Sequence, residues 1–281
     1  MNDSRRDVLD QKQKLIKRKI YDNEQNIGII DIGKKRKTQE DSLLIAGHPI
    51  FKNLELLLVA DGMGGLSYGE IASNLVAVEV LKWFENISSK NIEFLNLIRE
   101  YNIYLHKIDT LIRNKLNGGG STLVSAIIAP DKTLITSVGD SRCYALNENR
   151  LFQINKDHNE AWELFEKHII EKDDLRFCKN NNLLTSRLGG EKRKLKIDSF
   201  ILENNKYEKL LLCSDGVTDI LSDRAIKNVL LMENKLQGIK KLVDYSLNSI
   251  EYKNNVNDKY FNDCLYGGKD NISAIIRKRK R

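Results

Sequence analysis

Only two prolines occur in 281 residues, and no Gly/Ser-rich stretch interrupts the chain. Such breaks mark joints between domains, so none is expected inside the body of the protein. Four cysteines, at 143, 178, 213 and 264, form no Cys-x-x-Cys pair. That excludes the usual thiol metal or redox motif and leaves free thiols, as in a reducing cytosol. Four histidines are present and none stands at metal-ligand spacing from another. His158, after Asp157, therefore reads as a structural hydrogen-bonding residue. No window approaches the roughly 18 apolar residues of a membrane span, and the N-terminus lacks the apolar core of a signal peptide. A cytoplasmic location is the expectation. The net charge of +7 is also missing from the body: residues 1–20 carry +4 and Arg277–Arg281 carry +5, which leaves −2 between them. A nucleic-acid-binding fold would want a basic face, so no nucleic-acid partner is expected. The basic ends read as solvated segments.

What the sequence has is carboxylates at strand ends. Leu54-Glu-Leu-Leu-Leu-Val-Ala-Asp-Gly-Met-Gly-Gly65 is an apolar run that stops at Asp61 and turns on glycines. Leu210–Gly216 repeats the pattern at Asp215, and Leu134–Asp140 ends in Gly-Asp. Asp270-Asn271 opens the last apolar run, and Ile27–Gly33 leads to Glu40-Asp41. Acids delivered from distant parts of the chain suit one hard-cation site, because Mg²⁺ and Mn²⁺ prefer oxygen ligands. Between Gly33 and Asp41 four basic residues precede two acids. That spacing suits a loop where the acids bind metal and an arginine holds an anion, since guanidinium grips phosphate bidentately.

In chain order, residues 1–24 read as an N-terminal extension or short helix. Strands follow at about 27–32, 42–47 and 53–60, and then a helix with an apolar stripe of Ile71, Leu75, Val78, Leu81 and Phe84. A second helical pattern runs from about 91 to 116. Gly118-Gly-Gly-Ser-Thr122 leads into a strand rather than a helix, which excludes a P-loop. Further strands are expected near 123–128, 133–138, 141–146, 150–154, 197–203, 208–214 and 271–276. Helices are expected near 222–232 and 236–249. Groups of strands alternating with helical pairs give an α+β class rather than a Rossmann alternation. One domain spans 25–276, with a flap at about 156–190 and a basic tail at 277–281.

Nine blocks carry a family resemblance. They are Gly33…Arg36…Glu40-Asp41, Val59–Gly65, Gly69–Ser73, Gly120–Thr122, Val138–Arg142, Asp157-His158, Leu184–Gly189, Cys213–Asp219 and Asp270-Asn271. In this order, over about residues 27–276, the chain resembles the metal-dependent serine/threonine protein phosphatases of the 2C type, closest to their bacterial branch. The resemblance implies a four-layer α-β-β-α sandwich, two central and mostly antiparallel sheets flanked by helix pairs. It implies hydrolysis of phosphoserine and phosphothreonine on proteins by a water bridging two Mn²⁺ or Mg²⁺ ions. Asp61 would bridge the two metals and Gly62 would offer its carbonyl. Asp215 and Asp270 would serve the first metal, Glu40 and Asp41 the second, and Asp140 and Asp219 a third, weaker one. Arg36 would bind the substrate phosphate. Met63 stands where eukaryotic members carry a histidine proposed as general acid, so the proton for the leaving group would come from elsewhere.

The implied partners are phosphorylated proteins, targets of a Ser/Thr kinase, acted on by a monomer with no membrane span. Two alternatives stay open. One is a phosphatase-like binding or scaffold protein without catalysis, against which stands the complete set of acids. The other is a metal-dependent nuclease, against which stands the distance in sequence between the basic ends and the acidic strand ends.

Overall fold

The computed structural model describes residues 18–64, 68–88, 93–190, 194–253, 262 and 264–279. The chain begins with β1 (Arg18–Asp22), β2 (Asn26–Asp31), β3 (Asp41–Gly47) and β4 (Glu55–Met63). Two long helices follow, α1 (Tyr68–Glu85) and α2 (Phe94–Lys115), and then β5 (Gly120–Ser121), β6 (Leu123–Ile128), β7 (Lys132–Val138), β8 (Arg142–Asn147) and β9 (Arg150–Gln153). After α3 (Glu160–Glu166) and a 3-10 turn at Lys172–Phe177 come β10 (Asp198–Glu203) and β11 (Lys209–Cys213). The chain closes with α4 (Asp215–Thr218), α5 (Asp223–Leu230), α6 (Lys235–Asn248), the ribbon β12 (Ile250–Tyr252) and β13 (Cys264–Tyr266), and β14 (Ile272–Lys278).

Two sheets form the centre, ordered β1-β2-β14-β11-β8-β9 and β10-β7-β6-β4-β3, and every described strand pair is antiparallel. The run Leu56–Ala60 explains why these strands do not alternate apolar with polar. Leu56, Leu58 and Ala60 pack toward α1 and α2, while Leu57 and Val59 pack toward Ile275 and Leu212 of the other sheet. A strand buried on both faces needs apolar side chains at every position. Each fully buried leucine contributes about 1.5–3 kcal/mol, so this five-residue run is a major source of stability. The opposite sheet carries α5 and α6 in the same way. Ser222 accepts a hydrogen bond from the Ala225 N–H and Asn234 from the Gln237 N–H, which starts these two helices where the sequence places cap residues. The result is the four-layer sandwich expected.

Several details differ from the sequence expectation. Residues 18–22, assigned to an extension or short helix, form β1 instead, because Ile20 and Tyr21 pair with Ile29 and Gly28 along the edge of β2. Residues 1–17 lie outside the described residues. The buried face of α1 is Ala72, Ser73, Val76, Ala77, Val80, Leu81 and Phe84, so Ile71 turns outward at 42% exposure. Small residues let this helix lie close to β4, a contact that a search for large apolar side chains misreads by one position. The last strand runs to Lys278, which takes Arg277 out of the tail: it is buried and bonds Asn26 and Glu55. Lys280 and Arg281 lie outside the described residues. Within 156–190, Trp162, Leu175, Phe177 and Cys178 are buried against the α5–α6 side, which ties this segment to the core.

Candidate active site

Antiparallel pairing brings alternate strand ends to the same edge, and the acids sit at that edge. Glu40 and Asp41 stand at the start of β3, Asp61 near the end of β4, and Asp140 in the turn between β7 and β8. Asp215 opens α4 directly after β11, Asp219 follows α4, and Asp270 precedes β14. Arg36 comes from the loop between β2 and β3. A cleft of about 720 Å³ is lined by Arg36, Glu40, Asp61, Asp140, Asp215 and Asp270, and the Gly62 backbone faces it as well. Two expected residues stand apart. Asp41 is buried behind the floor, where its Oδ2 accepts from Ser214 Oγ at 2.8 Å. Asp219 lines a small adjoining cavity shared with Asp140 and Asp215. The split between Glu40 and Asp41 follows from the strand period, which sends neighbouring side chains to opposite faces.

Close backbone approaches draw these ends together. Gly62 donates its N–H to the Glu40 carbonyl at 3.1 Å, and a Cβ there would lie 2.0 Å from the Gly69 oxygen. Gly216 is as constrained, with the Asn271 oxygen 1.9 Å from where a Cβ would stand. Only glycine permits either contact. Asp61 is gripped on both sides of its backbone by Thr122, whose Oγ1 accepts from the Asp61 N–H and whose N–H donates to the Asp61 carbonyl.

Electrostatically the cluster is strained. Burial, and then the charge of Asp270, pushes Asp41 up to about 8 from an ordinary 3.8. Asp215 is pushed up to about 6 by the same two causes. Burial raises Asp61, Asp140 and Asp219 well above the usual range, and the Asp215 charge adds to each. Carboxylates crowded out of water hold their protons unless positive charge is supplied. Arg36 supplies some: its Nη2 donates to Asp270 Oδ2 at 2.6 Å and its Nη1 to Glu40 Oε2 at 3.2 Å. Nearby, the buried Arg142 donates to Asp157 through Nε and Nη2. His158 accepts from the Gly139 N–H and faces Asp198, so it braces the turn that carries Asp140.

Three comparisons bear on this cleft. Residues 34–251 match the family described as Protein phosphatase 2C. The chain is 32% identical over 261 residues to the serine/threonine phosphatase stp of Listeria welshimeri, which covers 89% of this chain and 93% of that protein. The crystal structure of the serine/threonine phosphatase Stp1 from Staphylococcus aureus aligns with TM-score 0.75 at 26% identity, covering 95% of this chain and 96% of that one. The chain belongs to the protein phosphatase 2C family. It is a serine/threonine protein phosphatase, which leaves the nuclease reading without support. The serine/threonine protein phosphatase PstP of Mycobacterium tuberculosis matches 88% of this phosphatase at 25% identity, over 43% of its own length.

Phosphatases of this family generally use metal ions such as Mn²⁺ or Mg²⁺. In this phosphatase no three His, Cys, Asp or Glu side chains among the described residues are gathered tightly enough to form a ready-made cation site. Arg36 stands between Glu40 and Asp270 and keeps them engaged. The donor set nevertheless fits a hard cation. Asp215 Oδ1 is buried with no hydrogen-bond partner among the described residues, an acceptor left among mutually repelling acids. Such an oxygen costs about 1–3 kcal/mol unless something positive reaches it.

Several residues that position the phosphatase's site went unassigned in the sequence. Asn271 donates to the Ile32 and Thr38 carbonyls and accepts from the Glu40 N–H, so one buried side chain shapes the whole Arg36 loop. Ser73 Oγ donates to the Glu40 carbonyl at 2.5 Å. Ser214 holds Asp41 and also accepts from the Ser273 N–H. All three fall inside the quoted blocks, where small polar residues flank each acid. That flanking was the available signal.

Proposed function

We propose that this phosphatase removes phosphate from phosphoserine and phosphothreonine of proteins in a reaction that requires Mn²⁺ or Mg²⁺. The observation that carries this reading is the cleft where acids from five chain segments converge around Asp215 Oδ1, which has no hydrogen-bond partner among the described residues. Asp61, Asp215, Asp270 and Glu40, with the Gly62 carbonyl, would hold the cations; Asp41 would act from behind the floor, and Asp140 and Asp219 would serve a further, weaker site. When bound, divalent cations supply positive charge against the phosphate dianion and make water a better nucleophile at neutral pH. Arg36 already spans two acids at the cleft, and its remaining donors suit two oxygens of a phosphoryl group. It stays protonated throughout, so it orients the phosphate without exchanging a proton. Met63, which lines the cleft, has no proton to give; the leaving oxygen takes its proton from solvent that reaches the cleft.

The proposal extends to the setting. Residues 18–278, from β1 to the end of β14, act as one catalytic unit with 156–190 as its flap, the working form is a cytoplasmic monomer, and the substrates are products of a Ser/Thr kinase. No helix among the described residues is long and apolar enough to cross a membrane. The test is hydrolysis of a phosphothreonine peptide with Mn²⁺, without it, and with a chelator. Turnover is expected only with the metal, and turnover indifferent to chelation would defeat the reading.

A further inference from the structure

The loop that delivers Arg36 carries three more cations that the reaction does not use. Gly33, Lys34, Lys35, Arg36 and Lys37 are consecutive, and their fates differ. The Lys34 N–H donates to the Gly268 carbonyl and its Nζ donates to Asn248 Oδ1 at 2.7 Å. Arg36 turns inward onto Glu40 and Asp270. Lys35 and Lys37 are exposed, line the cleft, and have no hydrogen-bond or ion-pair partner among the described residues. The loop between them is not free to swing away. Asn271 fixes it at the Ile32 and Thr38 carbonyls, and the Glu40 N–H is fixed by the same side chain.

We infer that Lys35 and Lys37 form a cationic lip that selects phosphoprotein segments with acidic residues beside the phosphorylated one. The inference rests on the phosphatase reading above and adds to it a class of substrate. The acids of the cleft are committed to the floor, where they face one another, Arg36 and the cation they fit. The lip is therefore the part of the cleft whose charge is left to act on the rest of the substrate. Unpaired lysines on an exposed loop are often just solvated. These differ because they flank the phosphate-gripping arginine on a pinned loop, at the edge a bound peptide must cross. Lysine also suits the task, since a compact ammonium on a flexible stem meets a carboxylate at varied positions, where arginine's fork would demand one geometry. Glu70, whose charge acts on Glu40, stands near this edge but does not line the cleft.

The test uses three phosphothreonine peptides that differ only in carrying Glu, Ala or Lys on both sides of the phosphorylated residue. The readout is the ratio of kcat/KM between the Glu and Lys peptides, so cation loading and folded fraction cancel within each preparation. The wild type is expected to favour the Glu peptide by about tenfold, the low end of what charge focusing at a cleft gives. Raising salt from about 0.1 M to about 1 M shortens the screening length from about 10 Å to about 3 Å and should bring the ratio toward one. Lys35→Glu with Lys37→Glu should reverse the preference. A wild-type ratio near one, or a ratio that the double substitution leaves unaltered, overturns the inference. If the double variant does not fold, the wild-type ratio and its salt dependence decide alone. Hydrolysis blind to the flanks defeats this inference only, whereas no metal-dependent hydrolysis of any of the three peptides defeats the phosphatase reading with it.

Discussion

The sandwich has a cleft at each end, and the two are nearly equal in size, about 720 Å³ at the acidic end and about 710 Å³ at the other. The same strands run between them. β4 starts at Glu55 beside the far cleft and ends past Asp61 in the near one; β14 follows Asn271 at the near end and reaches Arg277 at the far end. At the far end a cation and an acid meet: buried Arg277 donates through Nη1 to Glu55 and Asn26, although its Nε has no partner among the described residues, and Tyr207 lies against Thr133 and Asn204. At the near end five carboxylates line one cleft and a sixth lies beneath it, so burial and like charge raise most of them together. Cavity volume does not distinguish the ends. What distinguishes them is the sign of the neighbours: the far end sets an acid against its buried cation, whereas the near end crowds acids together and suits a cationic ligand.

The largest effect expected from this contrast is on turnover. Asp215→Asn should lower kcat/KM on a phosphopeptide by about 10³ or more, equivalent to about 4 kcal/mol of transition-state stabilisation. In the presence of a chelator the same variant should melt no lower than the wild type, since the substitution removes a repelling charge. A variant that keeps its turnover, or that loses it only by unfolding, would break the contrast. The far end should behave in the opposite sense. Glu55→Gln removes the charge that Arg277 leans on in a partly buried pair, and should cost about 2 kcal/mol of stability in a denaturant titration. Its kcat/KM, measured on the folded fraction, should stay within about twofold. A larger loss of turnover would show that the two ends are coupled through β4 and β14.

How much of this was readable follows from the same contrast. The run Leu56–Ala60 announces a buried strand because both its faces are covered, and Asp61 stands out because it ends that run. Glu40, Asp140, Asp215 and Asp270 were likewise visible as breaks in apolar segments, and Arg36 as the guanidinium before them. Hidden from the sequence was anything defined by pairing across the chain. Ile20 and Tyr21 are strand residues only because β2 offers an edge, amid lysines and arginines that suggest solvent. Arg277 looks like part of a basic tail until Glu55, 222 positions away, accepts from it. Asn271 is one amide among many asparagines, and its three bonds to the Arg36 loop depend on a register that no local pattern encodes. Glu40 and Asp41 read as equivalent neighbours, yet the strand sends one to the cleft and the other into the floor.

The smallest effect separates the two ends by pH. Asp41, at about 8, and Asp215, at about 6, hold their protons more tightly folded than unfolded, where 3.8 is ordinary. Each therefore contributes stability that is fully present below about pH 4 and is lost as pH rises through its folded value. With a chelator present, the melting temperature should fall by a few degrees between pH 5 and pH 8, apart from any other groups that titrate there. Asp41→Asn should flatten that slope, because its amide has no proton to lose in the window. Glu55→Gln should lower the curve, because it breaks the pair that Arg277 makes at the other end of the sandwich. Adding Mn²⁺ should remove the fall at pH 8 in the wild type, since cation binding to the folded protein favours the deprotonated acids. A wild-type melting temperature that rises from pH 5 to pH 8 under chelation would mean that the buried acids are already neutralised from within, and the distinction between the two clefts would be lost.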